Sequence, residues 1–81
     1  MKARVFVSLK STVLDPQGQA VCSALRGLGY AAVAEVRQGK CFDIALAAGV
    51  TAEQAQADME AIARDVLANP VIEEYRVEFV D

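Results

Sequence analysis

Residues 30–48 read YAAVAEVRQGKCFDIALAA, and their reading decides how many strands the chain has. Apolar positions alternate on both sides of Arg37-Gln38-Gly39-Lys40, which predicts two strands joined by a tight Gln-Gly turn, with Gly39 supplying a positive φ. In that register Val33 lies opposite Ile44 and Glu35 opposite Phe42. Phe42, Ile44 and Leu46 form a core face, and Gly49 ends the second of the two strands.

Upstream, residues 2–10 alternate as well. Ala3, Val5, Val7 and Leu9 take one face of a half-buried strand, with Lys2, Arg4, Phe6, Ser8 and Lys10 on the other. The stretch VLDPQGQAV (residues 13–21) then starts a helix. Asp15 can accept orphan N–H groups as N-cap, and Pro16 fits the first helical position, where no N–H is needed. Val21, Ala24, Leu25 and Leu28 make one apolar stripe, so the helix spans residues 16–28 and closes at Gly29.

Downstream, Thr51 and Gln54 have the spacing of a capping box. Ala55, Met59, Ile62, Ala63, Val66 and Leu67 form a second helical stripe, which Asn69-Pro70 stops. Tyr75, Val77 and Phe79 alternate with Glu74, Arg76, Glu78 and Val80 in a last strand.

The order β-α-β-β-α-β, with right-handed crossovers, predicts an α+β fold of one domain over residues 1–81. It is a four-stranded antiparallel sheet with both helices on one face, the ferredoxin-like arrangement. The other face stays bare. There Arg4 and Lys10 are expected opposite Glu74 and Glu78, while Phe6 and Val80 are apolar and predict self-association of the chain. Its 81 residues, 54% hydrophobic but only 6% aromatic, give a small core that a partner would complete.

The net charge of −3 argues against nucleic acid as a partner. Residues 1–42 hold six of the basic side chains and residues 43–81 nine of the acids, so the halves are expected to pair their charges within one fold. No stretch has transmembrane length, and the run from Met1-Lys2-Ala3-Arg4 straight into a strand pattern lacks a secretory signal; the expected location is the cytoplasm, with no membrane partner. Cys22 and Cys41 are expected to be reduced and mostly buried, structural rather than reactive.

Histidine is absent, which leaves no Ser-His or Cys-His nucleophile and argues against a metal site. An isomerase built on Cys41 or Asp43 would lack a base and a pocket. The glycines close a helix rather than open one, so no phosphate loop is formed. What remains is the tip at Arg37 and Lys40, two cations held on rigid strands, suited to docking an acidic partner or a substrate phosphate.

Three segments, LKSTVLDPQGQAV (residues 9–21), LGYAAVAEVRQGK (28–40) and LANPVIEEYRVE (67–78), together resemble the PurS family over nearly the whole chain. Cys41 between Lys40 and Phe42 departs from the family, which usually has an aromatic residue directly after the lysine, and the second helix is unusually rich in alanine. The resemblance implies a non-catalytic subunit of phosphoribosylformylglycinamidine synthase, a glutamine-dependent C–N ligase in the fourth step of de novo purine biosynthesis. Such a subunit forms a homodimer or tetramer and bridges a glutaminase subunit (PurQ) to a large synthetase subunit (PurL), so that ammonia passes between them. It implies ATP and Mg²⁺ on the large subunit and no cofactor on this chain. Lys10, Asp15, Gln17, Arg37, Gly39 and Lys40 fall on family motif positions and become the expected docking residues. The alternative from the fold is a regulatory module of the ACT type, binding a small effector between subunits.

Overall fold

The computed structural model describes residues 1–80. Its elements are β1 (Lys2–Leu9), α1 (Pro16–Gly27), β2 (Gly39–Ala45), α2 (Ala52–Ile62), a π-helical turn (Ala63–Leu67) and β3 (Glu73–Val80). β1 lies at the centre of a three-stranded antiparallel sheet ordered β2-β1-β3. The register sets Val5 between Phe42 and Val77, and Ala3 between Ile44 and Phe79. One face therefore collects Ala3, Val5 and Val7, all buried, with Phe42, Ile44, Tyr75 and Val77 half-buried around them.

α2 covers that face on the β3 side. The Thr51 hydroxyl accepts the Gln54 N–H at 3.1 Å, which begins the helix as expected. The Gln54 amide turns instead to Asp58 at 2.8 Å, so only one half of the reciprocal cap is made. Ala55, Met59 and Ala63 are buried, and the Tyr75 hydroxyl donates to Glu60 across the gap to β3 at 3.1 Å. In the π turn the Ala68 N–H reaches back five residues to the Ala63 carbonyl at 3.0 Å. Val66, on the apolar stripe of an unbroken helix, is 73% exposed in that turn.

The four-stranded sheet expected from the sequence is not formed. Residues 30–38 do not pair with any described strand, and the Gln-Gly turn is absent: the only described residues with positive φ are Gly29 and Gly49. The polar backbone of this segment is satisfied by α1 instead. Arg26 donates to the Val33 carbonyl at 2.8 Å, the Cys22 thiol lies 3.9 Å from the Ala34 carbonyl, and Gln38 donates its N–H to Asp15 at 2.7 Å. Descending contacts with rising residue number mean that the segment runs antiparallel along the helix.

α1 itself is also displaced from the expected place. No α1 residue belongs to the core, and Gly18 is its only buried member. Val21 and Leu28, on the predicted apolar stripe, are exposed. Helix and returning segment thus form an arm. The chain measures 51 × 28 × 13 Å with a radius of gyration of 16.2 Å, against roughly 12 Å for a globule of this length.

Candidate docking site at the arm junction

Where the arm leaves the sheet, the DPQG and RQGK motifs meet. Asp15 is the pivot, only 4% exposed. One carboxylate oxygen accepts the Gly18 N–H at 2.9 Å and the other accepts the Gln38 N–H at 2.7 Å. A single side chain therefore caps α1 and clasps the entry to β2. Those backbone donors, Gln38 first, hold the Asp15 carboxyl below the usual carboxylate range, with the Arg37 charge adding in the same direction.

Gly18 makes the clasp possible. A Cβ there would stand 2.2 Å from the Val36 carbonyl oxygen, so only glycine lets the returning segment lie this close to the first turn. Gln17 reinforces it by accepting from the Gln38 side-chain amide at 2.9 Å.

Arg37 is a staple. Its guanidinium donates to the Lys10 carbonyl at 3.1 Å and to the Val13 carbonyl at 2.9 Å, tying the β1–α1 connection to the returning segment. Lys10 lies just past β1 and donates its N–H to the Ile72 carbonyl at 2.9 Å. Gly39 and Lys40 open β2 opposite Ser8 and Val7. A Cβ on Gly39 would stand 2.8 Å from the Val7 carbonyl, so this glycine serves close strand approach rather than a turn.

The six expected docking residues are thus brought to one place, though in two roles. Asp15, Gln17, Gly39 and Lys40 line a shallow groove of about 180 Å³ with Val7, Ser8, Leu9, Gln38 and Glu73. Lys10 and Arg37 stand behind it and hold its walls. Sequence reasoning passed over Gln38, whose N–H and amide both build the junction, and Glu73 on the far wall. Gln38 lay inside the motif already singled out; Glu73 carried no local signal, since only the β1–β3 register brings it near Leu9.

The groove offers amide, ammonium and carboxylate groups in fixed positions, which suits hydrogen bonding to a protein surface. Its one hydroxyl, on Ser8, has no base beside it. Among the described residues no group of three or more His, Cys, Asp or Glu is placed to hold a metal ion, and no helix is long and apolar enough to cross a membrane.

The expected self-association residues, Phe6 and Val80, lie on the sheet face opposite the core. Phe6 is capped by Arg76, whose guanidinium carbon sits 4.5 Å from the ring centroid, while Val80 pairs with Lys2 four positions along β1. Between them Arg4 lies opposite Glu78, but its ion pair at 2.8 Å is with Asp43 on β2. Lys10 is not opposite Glu74, which pairs with Ser8. Cys41, expected to be buried, is exposed because the β1–β2 register sets it on this outer face, level with Phe6. Cys22 is half-buried against the returning segment.

The profile of the PurS family, described as phosphoribosylformylglycinamidine (FGAM) synthase, matches residues 2–81. The chain is 42% identical over 81 residues to the phosphoribosylformylglycinamidine synthase subunit PurS of Bacillus subtilis, covering 95% of this chain and 89% of that one. The crystal structure of Methanocaldococcus jannaschii PurS superposes with a TM-score of 0.83 at 36% identity, over 99% of this chain and 98% of that one. A chain in the PurLQS structure from Thermotoga maritima superposes with a TM-score of 0.85 at 31% identity, over 95% of this chain and 93% of that one.

Proposed function

The chain belongs to the PurS family, and on that premise we propose that the arm junction is the surface it presents to its protein partners. It is a subunit of phosphoribosylformylglycinamidine synthase, a glutamine-dependent ligase of purine biosynthesis. In the proposal it supplies no catalytic group. It bridges the glutaminase and synthetase subunits, the pair with which PurS stands in the Thermotoga maritima PurLQS assembly, and keeps ammonia on its way from one to the other. ATP and Mg²⁺ would sit on the large subunit, and the complex would work in the cytoplasm.

The observation that carries this reading is the convergence of Asp15, Gln17, Gly39 and Lys40 on one polar groove, with Arg37 stapled to the Lys10 carbonyl beside it. Asp15 and Arg37 spend their polar atoms inside the chain and fix its shape. Gln17, though its oxygen accepts from Gln38, and Lys40 are exposed and face outward to a partner. Self-association through the outer face at Phe6 and Val80 is a second part of the proposal, supported by apolar groups on an otherwise charged sheet surface.

Reconstitution with the glutaminase and synthetase subunits tests it, following amidine formation with glutamine and, separately, with free ammonia. The expected result is a glutamine-driven rate that requires this chain and an ammonia-driven rate that does not. Lys40→Glu should weaken assembly by about fivefold, the scale of one exposed charge contact, and leave the fold unchanged. Wild-type assembly in that variant would remove Lys40 from the docking surface; indifference of both rates to the chain would remove the bridging role.

A further inference from the structure

The end of the sheet where β1 finishes and β3 begins collects apolar side chains that the chain itself does not cover. Leu14, Val66 and Val71 are 64%, 73% and 77% exposed, and Ile72 beside them is 39% exposed. Hydrogen bonds draw the segments that carry them together. The Lys10 N–H donates to the Ile72 carbonyl at 2.9 Å, and Arg37 holds the Lys10 and Val13 carbonyls just before Leu14. The π turn, with Val66, packs on β3 and leads into the same corner.

The loop between the π turn and β3 keeps this apolar tip still. The Asn69 side chain accepts the Val71 N–H at 3.1 Å, and the Asn69 carbonyl accepts the Ile72 and Glu73 N–H groups at 3.2 and 2.7 Å. The Asn69 N–H donates in turn to the Glu73 carboxylate at 2.8 Å, and Pro70 fixes its own φ. Val71 therefore projects from a closed turn that has little freedom left to lose on binding. Val66 is turned outward by the bond from Ala68 back to Ala63, and π-helical bulges recur at functional sites.

Charge says what meets the tip. The chain as a whole carries −3, yet Lys10, Arg37 and Lys40 surround this corner, and among the described residues none of the three makes an ion pair. The acids that share the groove with Lys40 are engaged within the chain: Asp15 by the Gly18 and Gln38 N–H groups, Glu73 by that of Asn69. We propose that Val71, with Ile72, Leu14 and Val66 around it, is the apolar anchor of the chain's contact with a partner subunit of the synthase. Its occupant is an apolar recess rimmed by carboxylates on that subunit. An apolar centre inside a polar, charged rim is the anatomy of a protein contact, and the groove adjoins the anchor through Glu73, next to Ile72. The inference rests on the docking reading and adds that the binding energy lies in the tip rather than in the polar groups of the groove.

Titration of the chain into a mixture of the glutaminase and synthetase subunits, with glutamine, ATP and Mg²⁺ present, tests it, with assembly followed by sedimentation. Val71→Ala should weaken assembly about tenfold, the scale of removing two buried methyl groups. Val71→Asp should weaken it far more, because it sets a carboxylate against the acidic rim, and Val71→Lys less than Val71→Asp. The melting temperature and mass of the free chain should stay at parental values in all three, since Val71 is exposed. Parental assembly by Val71→Asp overturns the anchor; a loss that persists in Lys40→Glu would then leave the groove reading standing. Equal losses with lysine and aspartate overturn the acidic rim and with it the choice of occupant. A changed mass of the free chain would assign the tip to contact between copies and overturn the proposal as well. Failure of the parent chain to assemble at all removes both readings together.

Discussion

Two helices in this chain carry apolar stripes of similar quality, and their fates differ. α2 buries Ala55 and Met59 within its own chain, whereas α1 leaves Val21 and Leu28 in the open. The difference does not lie in helix chemistry, since both begin with a side-chain cap from Asp15 or Thr51. It lies in the connections. α2 is followed by the π turn and Asn69, which closes tightly on itself: its side chain accepts from Val71 at 3.1 Å and its N–H donates to Glu73 at 2.8 Å. α1 is joined to β2 by a segment that clings to α1 itself. Helical periodicity states that a face must be covered; the connection decides which surface can cover it.

The sharpest way to test that contrast is truncation of one residue from each stripe. Met59→Ala should cost about 2–5 kcal/mol at every protein concentration, the range for a buried large-to-small change. Leu28→Ala should matter only to the extent that copies associate, so urea unfolding at two concentrations separates the cases. Equal, concentration-independent losses would erase the distinction between the regions.

Next in size is the glycine pair of α1. Gly18→Ala forces a Cβ against the Val36 carbonyl and should destabilise by about 1–3 kcal/mol, with faster hydrogen exchange at the Gln38 N–H. Gly27→Ala meets nothing within 4 Å and should stabilise by about 0.4–1 kcal/mol through the unfolded chain. If both behave alike, the clasp is not what holds the arm.

A smaller effect should appear as acid sensitivity. The Asp15 carboxyl is lowered in the folded chain, so its stabilising contribution is complete above the ordinary carboxylate pKa of about 3.9 and is lost as pH falls through the lowered value. Asp43, lowered by the hydrogen bond from Arg4, and Asp65, lowered by that from Arg64, act in the same direction and persist in an Asp15→Asn variant. Thermal melts should therefore show a shallower decline below pH 4 in that variant than in the parent, together with a lower plateau near neutrality. An unchanged slope would mean that Asp15 is not charged in its clasp.

The smallest effect belongs to the outer face. Phe6→Leu keeps an apolar side chain but removes the ring under Arg76, which should cost about 0.5–1 kcal/mol. A much larger loss, growing with concentration, would support self-association through this side of the sheet.

Much of this architecture was legible in single residues. Asp15-Pro16, Thr51 and Asn69-Pro70 marked helix ends, and the alternation of Ala3, Val5 and Val7 against Tyr75 and Val77 assigned the sheet faces. The candidate site was legible as two motifs, DPQG and RQGK, but not as one place. Their meeting depends on Gly18 admitting Val36, a contact between residues far apart in the chain. Residues 30–38 misled because alternation gives the period of a strand and says nothing of its neighbour. The π turn was also hidden: an apolar Val66 fits the helical stripe, and only the five-residue hydrogen bond to Ala63 displaces it.

The sheet order has a consequence for how the chain is made. β1 emerges from the ribosome before the other described elements, yet its two neighbours begin at Gly39 and Glu73. The buried central strand must wait through most of translation with Val5 and Val7 uncovered, and its pairing with β3 closes a loop from Leu9 to Glu73. Such long closures slow the search for the native arrangement and lengthen exposure to wrong partners. A nascent chain released before β3 would hold only the β1–β2 pair, with one edge of β1 open and Val5 and Val7 without their Tyr75 and Val77 neighbours.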